Sequence, residues 1–214
     1  MIAHDLVSED GNTVPMLQTD SLNMSQWLEQ AEKYTLDFFS IRLDLGKYFV
    51  IPSPEALPWR FSMPVFDPGT VSTQEAVAAL EKLLRMDCLD VWGGVATRHY
   101  CGREAAGGPS LGFIEDSPMP NLDTMNKRLI DLRASSDVYM DMRGYALVAG
   151  LYYFARKEFL DVDTETWFPD WLDVGRGALG RVWKKKQIMF SWDHPGNKNK
   201  TRGARRLAQT IVRV

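Results

Sequence analysis

The most constraining feature of the sequence is an apolar run near its centre, from Tyr145 to Ala155. Wound into an α-helix, this run presents apolar side chains on nearly every side, so other parts of the chain must cover all of its faces. It has about eleven residues, whereas a helix that crosses a bilayer needs roughly 20. Arg143 and Arg156 flank it. The run therefore predicts the central core helix of a globular protein, with no membrane partner.

Two amphipathic helices are predicted before this run. Ser72 and Glu75 have the spacing of a capping box, and an apolar face follows from Ala76 to Leu84. In the earlier helix, apolar residues recur at steps of three and four, with Gly46 available to end it. These residues are Trp27, Leu28, Ala31, Tyr34, Phe38, Ile41 and Leu45.

The remaining segments are rich in helix breakers. Five of the eleven prolines fall between residues 52 and 68, which predicts an extended connection. A helix that carries Met125, Leu129 and Leu132 is expected to start at Asn121 or Asp123, and a short helix is expected after Thr164. Ser136 is expected to start the central helix. Because few segments read as strands, the sequence predicts a mainly α-helical fold, an irregular multi-helix domain with long Pro/Gly-rich connections.

Charge divides the chain unevenly. Eleven of the 25 basic residues but only one of the 28 acidic residues lie from Arg176 onward. We therefore expect a polar N-terminal arm at 1–20, a helical body at 21–175, with a candidate subdivision near 102–120, and a basic C-terminal segment at 176–214. Such polarity favours contact with a polyanion, or docking of the basic segment on acidic protein within the molecule or on a neighbouring copy.

The basic segment also carries aromatic residues, a combination typical of proteins that bind single-stranded nucleic acid. Phosphates release counterions to Lys and Arg, while bases stack on rings. Trp183 and Trp192 are candidate stacking platforms, whereas Trp167 and Trp171, spaced by one helical turn, are expected in the core. The candidate binding residues are Arg176, Arg181, Trp183, Lys184, Lys185, Lys186, Trp192, Lys198, Lys200, Arg202, Arg205 and Arg206.

The stretch GRGALGRVWKKK, residues 175–186, contains the spacing of a nucleotide-binding glycine loop at Gly175, Gly177 and Gly180. A dinucleotide fold also needs a hydrophobic strand before the first glycine and an acidic residue about 20 positions later. A protein kinase needs catalytic and metal-binding motifs downstream. The sequence has neither context, so we interpret the stretch as a basic segment, with no nucleotide cofactor.

Two other functions remain open. Cys88 and His194 follow the order of a cysteine hydrolase, but Asp87 and Asp90 disfavour a thiolate at Cys88. The same two residues, with His99 and Cys101, do not have the spacing of a compact zinc site, so no metal is expected. The third interpretation is an interaction adaptor with a basic docking tail.

The favoured hypothesis is a non-enzymatic protein that binds nucleic acid, such as RNA, with little sequence preference. A packaging or coat-like subunit that forms a homo-oligomer would suit an acidic body and a basic tail. The N-terminal residues lack the pattern of a signal peptide, and two cysteines do not suggest a disulfide framework. An intracellular, cytoplasmic location is therefore expected.

Overall fold

The structure is a computed structural model that describes residues 22–53, 56–57, 61–86, 88–90, 109–172, 176–183 and 187–209. These residues form five α-helices and eight β-strands, and the strands make two sheets. The fold is therefore mixed α/β, and the prediction of a mainly α-helical protein is wrong. Three of the predicted helices are present, at Met24–Phe39, Thr73–Leu84 and Met142–Arg156, whereas the C-terminal third of the chain is built from strands. The helix predicted from Asn121 or Asp123 through Leu132 is interrupted: a 3-10 turn spans Leu122–Thr124, Asn126 has a left-handed backbone, and an α-helix begins only at Leu129.

Local sequence signals account for the ends of the helices. Asn23 begins the first helix and Ser72 the third, each with a reciprocal capping box to the residue three positions later. The first helix ends at Ser40 in a left-handed conformation, six residues before Gly46. The helices are α1 (Met24–Phe39), α2 (Leu45–Tyr48), α3 (Thr73–Leu84), α4 (Leu129–Arg133) and α5 (Met142–Arg156).

The central helix predicted from the apolar run is confirmed as α5. It begins after Asp141, whose side chain accepts a hydrogen bond from the backbone N–H of Gly144, and not at Ser136. Leu151 is only 3% exposed, in the same core as residues of α1, α3 and both sheets. A Cβ on Gly150 would lie 2.0 Å from the hydroxyl oxygen of Tyr34, so the absence of a side chain allows α1 to approach α5 closely.

The eight strands are arranged in a three-stranded and a five-stranded sheet. The orders are β1-β3-β8 and β2-β6-β5-β4-β7, with the β2–β6 and β4–β7 pairs parallel and the other pairs antiparallel. The strands are β1 (Phe61–Asp67), β2 (Leu89–Asp90), β3 (Ser110–Glu115), β4 (Glu165–Leu172), β5 (Arg176–Trp183), β6 (Gln187–Asp193), β7 (Arg202–Gly203) and β8 (Ala208–Gln209).

The prediction of a short helix after Thr164 is wrong, because this segment forms strand β4. Four consecutive residues, 165–168, are buried, and so are residues 177–180 of β5. A strand buried on both faces does not alternate between apolar and polar residues, so its sequence lacks the usual period of two. The register of β4 also shifts between Trp167 and Trp171, around Pro169. The four-residue spacing of the tryptophans therefore resembles a helical turn by coincidence.

The last described segment joins the two sheets. β7 pairs with β4 of the five-stranded sheet, and β8 pairs with β3 of the three-stranded sheet. Between them, Arg206 forms an isolated bridge with Tyr139. β3, which pairs with β1, lies inside the Gly/Pro-rich stretch near 102–120. No helix in the described ranges is long and apolar enough to cross a membrane.

Candidate nucleic-acid interface

Arg202 lies at the centre of a buried ion-pair network. Its Nε donates to Glu165 at 2.6 Å, and its Nη1 donates to Asp193 at 2.7 Å. The guanidinium carbon lies 4.5 Å from the ring centroid of Trp167, a cation–π arrangement. Arg181 donates to the other carboxylate oxygen of Glu165 at 2.7 Å. Two arginines proposed as nucleic-acid ligands therefore share one buried carboxylate.

Arg205 is buried even more completely. Its Nη2 lies 2.8 Å from a carboxylate oxygen of Asp161, and the two side chains are 2% and 0% exposed. The hydroxyls of Thr164 and Thr166 donate to the same carboxylate, at 3.0 and 2.7 Å. Arg205 also donates to the backbone carbonyl of Ser117. These contacts leave Arg205 inside the protein, where it cannot reach a polyanion without unfolding its surroundings.

Arg206 is half-buried and bridges two exposed acidic residues. It forms ion pairs with Asp123 and with Asp137, the latter at 2.8 Å. Burial alone would lower its pKa, but the hydrogen bonds to the two carboxylates raise the pKa above its ordinary value. The alternative that the basic segment docks on acidic groups within the molecule therefore describes Arg181, Arg202, Arg205 and Arg206.

The lysines of the same segment have a different environment. Lys198 and Lys200 are exposed, and neither forms an ion pair with another described residue. They lie on the loop of residues 194–201, which connects β6 to β7. This loop is held by its own hydrogen bonds: the side chain of Asn197 donates to Asp193, and the side chain of Asn199 accepts from the backbone N–H and the hydroxyl of Thr201. The loop therefore presents its lysines from a defined backbone.

Other candidate residues lie outside the described part of the structure. Lys184, Lys185 and Lys186 follow the end of β5 and are not described, and the side chains of Arg176 and Trp183 are not described either. The strand register is informative because Glu165 pairs with both Arg181 and Arg202. The end of β5 and the start of β7 therefore lie at the same end of the five-stranded sheet.

The two tryptophans near the basic segment whose side chains are described, Trp167 and Trp192, pack in or against the core. Trp167 is fully buried, which confirms the prediction for this residue, and lies beneath Arg202. Trp192 is partly buried and packs against the main core cluster. Its role as a stacking platform remains a prediction.

Packing in the sheet explains two glycines of the motif, Gly177 and Gly180, while Gly175 lies outside the described residues. β5 is a central strand, with β4 on one side and β6 on the other. A Cβ on Gly180 would lie 2.9 Å from ring atoms of both Phe168 and Tyr145. A Cβ on Gly177 would lie 2.4 Å from Leu129 and 2.9 Å from Trp167. These glycines let large side chains pack directly on the backbone of β5, which is a structural reason for their spacing.

Cys88 and His194 are not brought together. β2 runs parallel to β6 with Leu89 opposite Met189, so Cys88 lies beside position 188. His194 follows the other end of β6, and five to six strand residues correspond to roughly 17–20 Å. Cys88 is half-buried, while His194 is exposed and its Nδ1 accepts from the backbone N–H of Gly196. A thiolate–imidazole pair needs hydrogen-bonding distance, which this arrangement does not provide.

The four Cys and His residues considered for a zinc site cannot be compared as a set in the described part of the chain. His99 and Cys101 lie outside the described residues, and the other two residues of that set are the separated Cys88 and His194. Among the described residues, no three His, Cys, Asp or Glu side chains are grouped as metal ligands would be.

Lys127 lies on a segment beside the loop of residues 194–201, and the sequence pattern does not point to it. Lys127 is exposed, and the preceding residue, Asn126, donates its backbone N–H to the carbonyl of Arg202 at 2.8 Å. In the sequence Lys127 stands far from the basic segment, and an isolated lysine gives no signal.

Comparison of the chain with protein-family models, curated proteins and solved structures gives no match. The geometry of the basic residues is therefore the basis for a proposed function.

Proposed function

We propose that this protein binds nucleic acid without catalysis, through the phosphate backbone and with little sequence preference. The observation that supports the proposal is the contrast between the arginines and lysines of the basic segment. Arg202, Arg205 and Arg206 are paired with carboxylates, while Lys198 and Lys200 are exposed and without ion pairs among the described residues. Among the described residues of the basic segment, these two lysines are therefore the positive charge that remains for an external partner.

Lysine suits this role physically. Its ammonium group is a compact charge on a flexible stem, which can contact phosphates in several positions. Each contact releases a condensed counterion, so binding weakens as the salt concentration rises. Phosphates are the same at every nucleotide, so such contacts position the protein without reading sequence.

The test is a titration of fluorescent single-stranded oligonucleotides of unrelated sequence, followed by anisotropy at several salt concentrations. We expect the unmodified protein to bind all of them with a steep salt dependence. In the double variant Lys198→Gln/Lys200→Gln, the slope of log affinity against log salt should fall by about 1.4, since each lost contact to a single strand removes about 0.7.

A matched control is the double variant Lys47→Gln/Lys82→Gln, which removes two exposed lysines of α2 and α3 that form no ion pair with other described residues. Its slope should remain that of the unmodified protein. Binding that does not change with salt, or an equal loss in both double variants, would contradict the proposal. The triple variant Lys184→Gln/Lys185→Gln/Lys186→Gln asks whether the lysines after β5 add further contacts.

A further inference from the structure

We infer that Lys127 belongs to the same phosphate-binding surface as Lys198 and Lys200, and that Asp131 weakens binding at this surface. We call these three lysines the lysine surface. The inference rests on the proposed function, and it identifies part of the binding surface in a segment whose sequence carries no such signal. The ligand chemistry is a phosphate backbone.

The backbone brings the two segments side by side. Asn126 donates its N–H to the carbonyl of Arg202 at 2.8 Å, and Ile130 donates its N–H to the carbonyl of Pro195 at 3.4 Å. The chain from 126 to 130 therefore runs antiparallel to the chain from 195 to 202. This alignment places Lys127 next to the end of the loop that carries Lys200.

The buried contacts beneath this surface fix its position. Thr124 exchanges two hydrogen bonds with Ala204: its hydroxyl accepts from the Ala204 backbone N–H at 2.9 Å and lies 2.8 Å from the Ala204 carbonyl. Leu129 and Leu132 are buried in a small core cluster with Trp167 and Ala204. The segment that carries Lys127 is therefore anchored on both sides of that lysine.

The local charge balance leaves the three lysines in excess. Asp193 is paired with Arg202, and Asp131 is paired with Arg128 at 2.6 Å. Among the described residues, Lys127, Lys198 and Lys200 form no ion pairs. These two acidic groups near the surface therefore already have arginine partners.

Asp131 is an acidic group close enough to Lys198 to be affected by its charge. The hydrogen bond and charge of Arg128 lower the pKa of Asp131, and the charge of Lys198 contributes in the same direction. Asp131 is exposed, so its charge is also presented to a ligand. Replacing Asp131 with Asn would remove a negative charge beside Lys198 and would release Arg128 from its ion pair.

The experiment measures binding of a fluorescent oligonucleotide, as a single strand and as the duplex of the same sequence, to three proteins: the unmodified chain, Lys127→Gln and Asp131→Asn. We expect Lys127→Gln to lower the salt slope by about 0.7, equivalent to about fivefold in affinity per tenfold change in salt. We expect Asp131→Asn to bind more tightly and to steepen the slope by up to about 0.7 as Arg128 becomes available.

The controls match each charge change. Lys82→Gln removes an exposed lysine from α3, and Asp37→Asn removes an exposed acidic residue from α1. Neither should alter binding beyond the effect of net charge. Circular dichroism must show that both variants are folded, because unfolding would release the internally paired Arg202 and Arg205 and could itself raise affinity. Asp131 is exposed, so Asp131→Asn keeps the test informative if Lys127→Gln is unstable.

The outcomes separate this inference from the proposed function. If binding is salt-dependent and requires Lys198 and Lys200, but Lys127→Gln and Asp131→Asn match their controls, the inference is wrong and the proposed function stands. If the unmodified protein shows no salt-dependent binding of either strand form, both are wrong. Opposite effects of Lys127→Gln and Asp131→Asn, each larger than its control, would support the inference.

Discussion

At the scale of single residues, the pair of Asp161 and Arg205 is the most deeply buried ion pair among the described residues. Asp161 has a left-handed backbone (φ 55°), a conformation that Asp and Asn tolerate better than most residues. Its backbone N–H donates to the carbonyl of Pro118, and its carbonyl accepts from Val182. One residue thus links the chain after α5, β5, the 116–120 segment and the C-terminal segment.

We expect Arg205→Met to lower the free energy of unfolding by about 3–5 kcal/mol, because it leaves the buried carboxylate of Asp161 without its counterion. The double variant Asp161→Asn/Arg205→Met should recover part of this loss, since it removes the uncompensated charge. Urea unfolding followed by tryptophan fluorescence measures both.

The neighbouring arginine provides the control for this experiment. Arg206 is 29% exposed, and its acidic partners are more exposed still. Ion pairs of this kind contribute about 0–1 kcal/mol, so Arg206→Met should cost far less than Arg205→Met. Equal losses in the two single variants would show that the buried pair is not the source of the stability.

At the scale of secondary structure, β5 is the element whose sequence and packing depend most directly on each other. The rings that a side chain at Gly180 would meet, those of Phe168 and Tyr145, are fully buried. These rings also pack on each other, with centroids 5.2 Å apart. A methyl group at position 180 has no free volume, because the surrounding aromatic side chains are already in contact.

The variant Gly180→Ala should therefore destabilise the protein by about 1–3 kcal/mol through overpacking. Gly46→Ala in α2 is the matched control, since its Cβ would meet only the carboxylate of Asp44, at 3.6 Å. That change should be neutral or slightly stabilising, because alanine favours a helix more than glycine does. Thermal unfolding followed by circular dichroism compares the two, and a stable Gly180→Ala protein would refute the packing explanation of the glycine motif.

At the scale of the whole molecule, part of the uneven charge along the chain is balanced within the fold, through ion pairs of Arg181, Arg202, Arg205 and Arg206. The basic C-terminal segment lies against carboxylates supplied by β4 and by the loops around α4 and α5, including Asp123, Asp137, Asp161 and Glu165. Distance along the chain is therefore a poor measure of distance between charges. In the proposed function, the salt-sensitive ligand contacts exposed lysines that form no ion pair with other described residues, such as Lys198 and Lys200.

Acid should weaken the folded state through Asp193. Burial alone would raise the pKa of Asp193, but hydrogen bonds from Arg202, the backbone N–H of His194 and Asn197 outweigh it and lower the pKa. The folded pKa is thus below the unfolded value of about 3.9, so this stabilisation is present above about pH 4 and is lost as the pH falls through the folded pKa.

Asp193→Asn should flatten the loss of stability below about pH 4 by up to about 1 kcal/mol, because the Asp193 side chain is partly exposed. Urea unfolding between about pH 3 and pH 7 measures the effect. Asp116 acts in the opposite direction: burial raises its pKa despite hydrogen bonds from Trp27 and Arg156, so its protonation favours the folded state. An unchanged acid profile in Asp193→Asn would contradict this assignment.

Helix ends and helix faces depend on residues close together in the sequence, so the sequence alone predicts them. The capping box at Ser72 and the apolar run of α5 act over one to four helical turns, and both predictions are confirmed. The box at Asn23 carries the same kind of signal in Gln26, three positions later, although the prediction of α1 rests on apolar spacing. The burial of Leu151 also follows from the helix itself, because no face of α5 is polar.

The sheets and the pairing of the basic residues depend on the tertiary structure. β4 and β5 are buried on both faces, so their local pattern does not distinguish a strand from a helix. The partners of Arg202 and Arg205 lie 37 and 44 positions earlier in the chain, at Glu165 and Asp161. Which arginines pair internally, and which lysines come to lie side by side, depends on long-range strand pairing, which no local pattern of residues encodes.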